Sequence, residues 1–404
     1  MNHAPASSVK RGAAEAGQAL SRWSPVILFG ASTFLFWAAL YVYVPILPAH
    51  AESQGAGLSM VGAVIASYAI AQLLLRAPLG VWADVLGRRK PFVVAGLLIT
   101  TAGALALAAA PNPWFLFAGR ALTGVAAATW VVSTVFFASY FPPERSARAI
   151  GIISFVNSTA MVVATSAGGQ LAELWGAKSV FFVGAALGIL GALLLMRVPE
   201  PAVPRSKTLS GAGFLKVGVH PVVLMASLMS ILVHFAGAAT ISSFTLVYAS
   251  RIGASSADLG LINGVYLGAA TLATLGTIFM LERRGYPLTI LLGASMLGAS
   301  LLVTPSIDQL KLLVALQLLG GFGRGLANTS LMALSISAVQ PGQRATAMGV
   351  YQALYSLGML SGPLVGGFVA DASGLSSVFY LSATAAFLAG GLALTRNHRA
   401  GRGP

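Results

Sequence analysis

The chain is dominated by long apolar runs that alternate with short polar segments. A helix needs about 20 apolar residues to cross the hydrocarbon core of a membrane. The pattern therefore predicts an all-α membrane protein with twelve transmembrane helices. The predicted spans, numbered 1 to 12 in chain order, are 25–48, 58–83, 91–110, 113–140, 147–172, 178–197, 221–250, 256–281, 286–305, 309–338, 345–370 and 376–395.

The polar segments divide these spans into two groups of six. The predicted organisation is an N-terminal tail, a first six-helix bundle, a central loop, a second six-helix bundle and a C-terminal tail, at 1–24, 25–197, 198–220, 221–395 and 396–404. A shift of 198 positions aligns the halves and brings Tyr68 onto Tyr266 and Asp84 onto Glu282. Because six is even, both halves enter the membrane in the same direction, which predicts parallel repeats.

Composition and charge fix the environment and the orientation. The chain is 57% hydrophobic and 8% charged, whereas soluble domains carry about 25% charged residues. If the N-terminus is cytoplasmic, the outer segments hold only Lys178, Arg251 and Lys311, and the other bases outside the spans are cytoplasmic. This bias predicts a plasma (cytoplasmic or inner) membrane protein with both termini inside. It also explains the net charge of +14 without a nucleic-acid partner.

Three motifs carry a family resemblance. The turn after span 2 reads Gly-x-x-x-Asp-x-x-Gly-Arg-Arg-Lys from Gly80 to Lys90, and span 4 carries Arg120-x-x-x-Gly124. Span 11 carries a glycine–proline pattern at Gly349, Gly358, Gly362, Pro363, Gly366 and Gly367. Over residues 25–395 the sequence resembles the major facilitator superfamily, in particular its 12-span drug/proton antiporters. That family usually places the glycine–proline motif in span 5, which here retains only Gly151, Gly168 and Gly169.

The resemblance implies two bundles around a central cavity and a cytoplasmic conformational latch. The latch would hold Asp84 near the N-terminus of span 11, where unpaired N–H groups stabilise a carboxylate by about 0.3–1 kcal/mol. Its other members would be Gly80, Gly87, Arg88 and Arg89. Alternatively, the bases of this turn only set topology. The glycines of span 11 and Pro363 predict a gating helix, and generic helix packing is the alternative.

Ionisable residues inside the spans are candidates for lining the central cavity and indicate its charge. Arg76, Arg120 and Arg324 lie within predicted spans, and such residues are functional candidates because their insertion is costly. None of the ten carboxylates lies near the middle of a predicted span, so the cavity is expected to be positive and to favour an anionic or zwitterionic substrate. His234 is a candidate proton carrier, with an interhelical hydrogen bond as the alternative. Arg120 and Asp84 are further proton-coupling candidates.

Polar and aromatic side chains on the same spans are candidates for substrate contact, and each can equally be an interhelical contact. These candidates are Trp37, Tyr41, Trp130, Asn157, Asn328, Gln352 and Tyr355. The sequence has no cysteine, nucleotide-binding loop, zinc-ligand spacing or hydrolase motif. We therefore expect no enzyme activity, no cofactor and no metal site, and an ion gradient as the energy source.

The predicted function is secondary active transport by alternating access. Proton-coupled efflux of a small anionic or zwitterionic metabolite, a metallophore-like compound or an amphipathic drug is the first interpretation. Proton-coupled uptake of an organic anion or sugar is the second. A non-transporting receptor or a lipid-handling protein on the same scaffold is the alternative of another class. The expected partners are a small-molecule substrate, protons and membrane lipids, and the chain is expected to act as a monomer.

Overall fold

A computed structural model of the chain describes residues 25–142, 145–201, 220–337, 339–340 and 344–395. Within these residues all regular secondary structure is helical, and each predicted span is present as a helix. The helical, apolar architecture follows from the membrane as solvent, because a helix satisfies its backbone hydrogen bonds internally. The prediction of an all-α fold is confirmed. Residues 202–219 of the predicted central loop (198–220) and the two predicted tails lie outside the described residues.

The first half contains spans 1 to 6. Span 1 consists of Pro25–Tyr41, a turn and the short helix Leu47–Ser53. Span 4 consists of two consecutive helices, Pro113–Ala128 and Trp130–Ala138. The remaining helices, spans 2, 3, 5 and 6, are Leu58–Leu86, Lys90–Ala108, Ser146–Trp175 and Ser179–Met196.

The second half contains spans 7 to 12. Span 7 consists of Pro221–Ala239, a π-helical segment Thr240–Phe244 and Thr245–Arg251. Spans 8 and 9 lie in the helical stretch Ser256–Val303, which breaks at Gly285 and is followed by a 3₁₀ turn, Thr304–Ser306. Spans 10, 11 and 12 are Leu310–Ser337, Arg344–Ser373 and Leu375–Leu394.

The structure differs from the prediction at two breaks within helices and at one helix end. Span 1 was expected as one run but stops at Tyr41, before Pro45, which lacks the N–H that would continue the helix. Span 4 changes helix at Thr129, whose hydroxyl donates to the carbonyl of Ala126 at 2.7 Å, a local bond that bends helices. Span 2 extends to Leu86 and ends at Gly87, where φ is +62°.

The turns between spans fall at two ends of the molecule. One end carries Arg88, Lys90, Arg197 and the Arg283–Arg284 pair, and we call it the basic end. The other end, which we call the opposite end, carries the starts of spans 2 and 8 and the ends of spans 5 and 11.

The two halves meet closely at the opposite end. A Cβ added to Gly169 on span 5 would lie 2.7 Å from the Cα of Gly260 on span 8. A Cβ on Gly62 of span 2 would lie 3.2 Å from the Cα of Gly367 on span 11. Small residues permit this approach of helix backbones in a membrane.

The halves separate toward the basic end. A Cβ added to Gly151, Gly276 or Gly349, which lie in the basic halves of spans 5, 8 and 11, would have no described neighbour within 4 Å. The structure is therefore closed at the opposite end and open at the basic end.

Candidate functional site

Arg120 lies in a buried aromatic pocket of the first half. Its side chain on span 4 is only 5% exposed. The guanidinium carbon lies 4.1 Å from the ring centroid of Tyr68 and 5.7 Å from that of Tyr43. Nη1 donates to the hydroxyls of Tyr43 at 3.5 Å and Thr123 at 3.4 Å. Among the described residues no carboxylate pairs with it, so aromatic faces supply its main electrostatic compensation.

Arg324 occupies the corresponding region of the second half. Its half-buried guanidinium on span 10 lies 5.9 Å from the ring of Tyr266. The same group packs on Gly237 of span 7, where a Cβ would lie 3.1 Å from Arg324 Nε. Tyr68 and Tyr266 are related by the 198-residue repeat. Each half therefore places a tyrosine of span 2 or 8 beside an arginine of span 4 or 10.

A cavity opens beside Arg324 where spans 5 and 8 begin to separate. Its volume is about 200 Å³, and spans 5, 8 and 10 line it. Above it, spans 5 and 8 approach each other at Ser166 with Gly264 and at Val162 with Gly268, where an added Cβ would lie 3.9 Å from Val162 Cγ1. Its lining residues are Ser158, Met161, Leu267, Ala270, Thr271, Thr274, Arg324, Gly325 and Asn328. The cavity thus combines one cation, neutral hydrogen-bonding groups and apolar side chains, a common composition for small-molecule sites.

His234 belongs to a polar cluster between spans 7 and 11. Its ring stacks on Tyr355 with centroids 4.3 Å apart and planes 10° apart. Its Nδ1 lies 3.1 Å from the hydroxyl and 2.9 Å from the carbonyl oxygen of Ser230. The Ser230 hydroxyl in turn donates to Tyr351 Oη at 2.8 Å. Residues three apart share a helix face, so His234 faces the same side as Gly237, where the Arg324 side chain packs.

The remaining substrate-contact candidates are an aromatic cluster of spans 1 and 4, Asn157 of span 5 and Gln352 of span 11. Trp37 packs edge-on against Trp130, with ring centroids 5.3 Å apart, and lies 6.0 Å from Tyr41. Trp37 Nε1 and Asn157 Oδ1 are buried without a hydrogen-bond partner among the described residues. Orphaned buried polar atoms are uncommon, so these groups have capacity for water or a solute. Gln352 is half-buried on span 11.

Arg76 has a local partner. Its Nη2 donates to Gln72 Oε1, one turn earlier on span 2, while its Nε has no partner among the described residues. This bond uses part of the hydrogen-bonding capacity of the guanidinium within one helix. It is compatible both with a role in helix packing and with a role in the cavity.

The turn between spans 2 and 3 is tied to its own half. The backbone N–H groups of Arg89 and Lys90 donate to Glu200 Oε1, with the second bond at 3.0 Å. Lys90 Nζ donates to the carbonyl of Met196 at 2.8 Å, and Arg88 is exposed. This contact of Glu200 was not predictable, because Glu200 lies in a polar segment far along the chain from Arg89 and Lys90.

The predicted latch itself is not tested. The side chains of Asp84 and of residues 345–346 lie outside the described residues. Gly80 faces its own half, where an added Cβ would lie 3.7 Å from Val131.

The glycines of span 11 pack on different neighbours. A Cβ on Gly362 would lie 2.6 Å from the carbonyl oxygen of Phe235, and Gly358 approaches Ile231, both on span 7. A Cβ on Gly366 would lie 3.0 Å from the Phe244 ring. Gly367 instead meets span 2, across the halves. The helix is continuous through Pro363. Gly358, Gly362 and Gly366 therefore pack span 11 within its half, whereas Pro363 and Gly367 face Gly62 of span 2 in the other half.

Comparison with known proteins decides the family. The sequence profile of the Major Facilitator Superfamily matches residues 29–249 and 226–404, which together cover most of the chain. The chain belongs to the Major Facilitator Superfamily. It is thus a multi-pass integral membrane transporter and not an enzyme, as the sequence predicted.

Relatives with assigned names are transporters at modest identity. The chain is 28% identical over 350 residues to a "Multi-drug resistance efflux pump PmrA homolog" of Lactococcus lactis subsp. lactis (strain IL1403), covering 83% of this chain and 86% of that protein. It is 27% identical over 380 residues to "Multidrug resistance protein 1" of Bacillus subtilis (strain 168), covering 90% and 93%.

Solved structures of the superfamily share the fold. The nucleoside transporter NupG superposes with a TM-score of 0.78 at 16% identity, covering 92% of this chain and 99% of that one. A bacterial homolog of the human lysosomal transporter Spinster, in an inward-facing and occupied conformation, superposes with a TM-score of 0.76 at 19% identity, covering 92% and 96%. At these identities the likeness concerns the fold alone.

Proposed function

We propose that this transporter is a proton-coupled exporter of small anionic, zwitterionic or amphipathic compounds that works by alternating access in the cytoplasmic membrane. The observation that carries the proposal is the position of Arg324. Its cation lines a cavity directly below the closed contact between the halves, beside neutral polar groups. The names of the efflux relatives support export.

The orientation follows from the bases. Cytoplasmic segments of membrane proteins are enriched in lysine and arginine, so the basic end is the cytoplasmic end and the opposite end is the outer end. The structure then represents an inward-open state. Its cavity is accessible to cytoplasmic solutes, which is the loading state of an exporter.

The chemistry of the cavity favours a solute with an anionic group. A guanidinium binds carboxylate or phosphate with two parallel hydrogen bonds. Ser158, Thr271 and Asn328 offer neutral hydrogen-bonding groups, while Met161 and Leu267 provide apolar surface. An amphipathic zwitterion satisfies this combination, and so does a small anionic metabolite or metallophore-like chelator.

His234 is the proposed proton carrier, with Arg120 as a second coupling candidate. A proton on His234 adds a positive charge on the span 7 face that also packs against Arg324. That charge repels the cationic part of a bound zwitterion. Proton binding therefore promotes release of the zwitterion, as antiport requires. For a purely anionic solute the same charge promotes binding and leads to symport. This electrostatic argument supports uptake of an organic anion as the second candidate.

The experiment is transport by purified protein in proteoliposomes. Fluorescent zwitterionic, anionic and cationic amphiphiles are presented with and without an inside-acid pH gradient. We expect Arg324→Gln to abolish flux of the probes that carry an anionic group, and Arg324→Lys to restore part of it. Arg284→Gln, an exposed charge at the basic end, is the matched control and should transport normally.

Four results decide between the alternatives. Proton movement opposite to the probe supports antiport, and movement in the same direction supports symport. Full transport by Arg324→Gln contradicts the proposed site. The absence of flux for every probe class, with normal binding, supports a receptor on this scaffold.

A further inference from the structure

Two carboxylates join the halves at the outer end. Asp371, near the end of span 11, accepts hydrogen bonds from the backbone N–H groups of Leu58 at 3.2 Å and Ser59 at 2.9 Å, and from the Ser59 hydroxyl. Glu173, near the end of span 5, accepts one from the N–H of Ser256 at 3.0 Å. Leu58 and Ser256 are the first residues of spans 2 and 8.

The two contacts are copies of one arrangement. Glu173 and Asp371 are 198 residues apart, and so are the helix starts that they bind, Leu58 and Ser256. In each copy a carboxylate near the C-terminal end of one half's helix binds the N-terminus of a helix in the other half. The first N–H groups of a helix have no partner within it, and the helix dipole favours negative charge there.

The surrounding contacts show why the two carboxylates lie within hydrogen-bonding distance of helix starts in the other half. Gly62 and Gly169 permit close backbone approach between spans 2 and 11 and between spans 5 and 8. An exposed ion pair between Arg251 and Glu52, at 3.6 Å, joins spans 7 and 1 at the same end. Span 8 also carries its own cap, because the Ser255 hydroxyl accepts from the N–H of Asp258. Glu173 therefore adds a bond between halves to a helix that is already capped.

We propose that Glu173 and Asp371 are a pair of positioning residues that latch the outer end closed and set the balance between inward-open and outward-open states. Their hydrogen bonds cross from one half to the other, so they exist only while the outer end is closed. The inference concerns the opposite end from the predicted Asp84 latch. It does not depend on the substrate or on the coupling ion.

The test introduces one pair of cysteines into the chain, which has none of its own. A Cβ on Gly264 would lie 3.3 Å from the Cβ of Ser166 across the closed outer end. That spacing is close to the separation of about 3.5–4.5 Å in disulfides. In the double variant Ser166→Cys with Gly264→Cys, the rate of disulfide formation under mild oxidation therefore reports the population of the outer-closed state.

Into this background we would introduce Glu173→Gln and Asp371→Asn, separately and together. Loss of a charge at a helix N-terminus predicts a roughly two- to fivefold lower ratio of outer-closed to outer-open molecules for each change, with the effects on this ratio multiplying in the double variant. The cross-linking rate should fall with the outer-closed population. Asp371→Glu should retain the parent rate. Asp308→Asn is the matched control, because Asp308 is an exposed carboxylate of the outer end that makes no described contact between the halves.

A purely structural cap predicts a different outcome. It lowers the melting temperature and leaves the cross-linking rate of the folded protein unchanged, and that result overturns the proposal. An equal effect of Asp308→Asn also overturns it, since the effect is then one of net charge. If Asp371→Asn does not fold, Glu173→Gln carries the same test, because Glu173 contributes a single bond to an independently capped helix.

Discussion

Gly169→Ala offers a test of the outer contact that involves no charge. Gly169 on span 5 faces the start of span 8 in the other half. A Cβ at this position would lie 2.5 Å from the carbonyl oxygen of Ser256, 2.7 Å from Gly260 Cα and 2.9 Å from Gly260 N. All three are backbone atoms, so no side-chain rotation can relieve the overlap.

The expected magnitude follows from these distances. Carbon atoms are in optimal contact at about 3.5–4.0 Å, so the two helices must separate by roughly 1 Å. Overpacking of this kind costs about 1–3 kcal/mol. The cost applies only to the outer-closed state, because in the outer-open state the helices are apart. The ratio of outer-closed to outer-open molecules should therefore fall by roughly fivefold to more than a hundredfold.

The assay is a distance measurement between two spin labels on the cysteine-free chain. Lys178→Cys and Lys311→Cys place exposed labels at the outer ends of the first and second halves. The parent should give mainly the short distance of the closed end, and Gly169→Ala should transfer population to a longer one.

Two glycine variants serve as controls. Gly293→Ala brings a Cβ to 2.6 Å from the backbone N of Ala327, but both residues belong to the second half. It should lower thermal stability and leave the distance distribution unchanged. Gly391→Ala meets nothing within 4 Å and should be silent. The reasoning is wrong if Gly169→Ala retains the parent distribution, or if Gly293→Ala shifts the distribution as much.

Three further changes test other parts of the molecule. Asp84→Asn should lower the outward-open population in the same spin-label assay, and unchanged populations contradict the cytoplasmic latch. Glu200→Gln removes a charged cap from the start of span 3 and should cost about 0.5–2 kcal/mol of stability. The melting temperature should fall while the spin-label distance distribution stays the same. An unchanged melting temperature contradicts the capping role. His234→Gln should abolish proton-driven accumulation while substrate exchange persists, and persistent accumulation excludes His234 as the proton carrier.

The spans were predictable because the membrane allows few solutions. Each long apolar run must form a helix that satisfies its own backbone, so composition and length largely determine where the helices lie. The breaks inside spans were less visible. Pro45 could have indicated the interruption of span 1. Thr129 could not have indicated the change in span 4, because threonine occurs in continuous helices as well and only its local hydrogen bond identifies the bend.

The surroundings of the intramembrane arginines were not predictable. The 198-residue shift aligned Tyr68 with Tyr266, but it does not align Arg120 with Arg324. The common arrangement of tyrosine beside arginine appears only when neighbouring helices are packed. Glu173 is a similar case. The sequence places it at a helix end, and its partner, Ser256, lies in the other half of the chain.

The carboxylates Glu173 and Asp371 have counterparts at the basic end of the molecule. Asp84, Glu173, Glu282 and Asp371 each lie two residues before the end of span 2, 5, 8 or 11, two at each end of the molecule. In the structure the Glu173–Asp371 pair is engaged, and Glu282 is exposed at the basic end. In the proposed alternating access, closing one end opens the other. We therefore expect the hydrogen bonds lost by one pair to be replaced by those of the other pair, which keeps both states accessible.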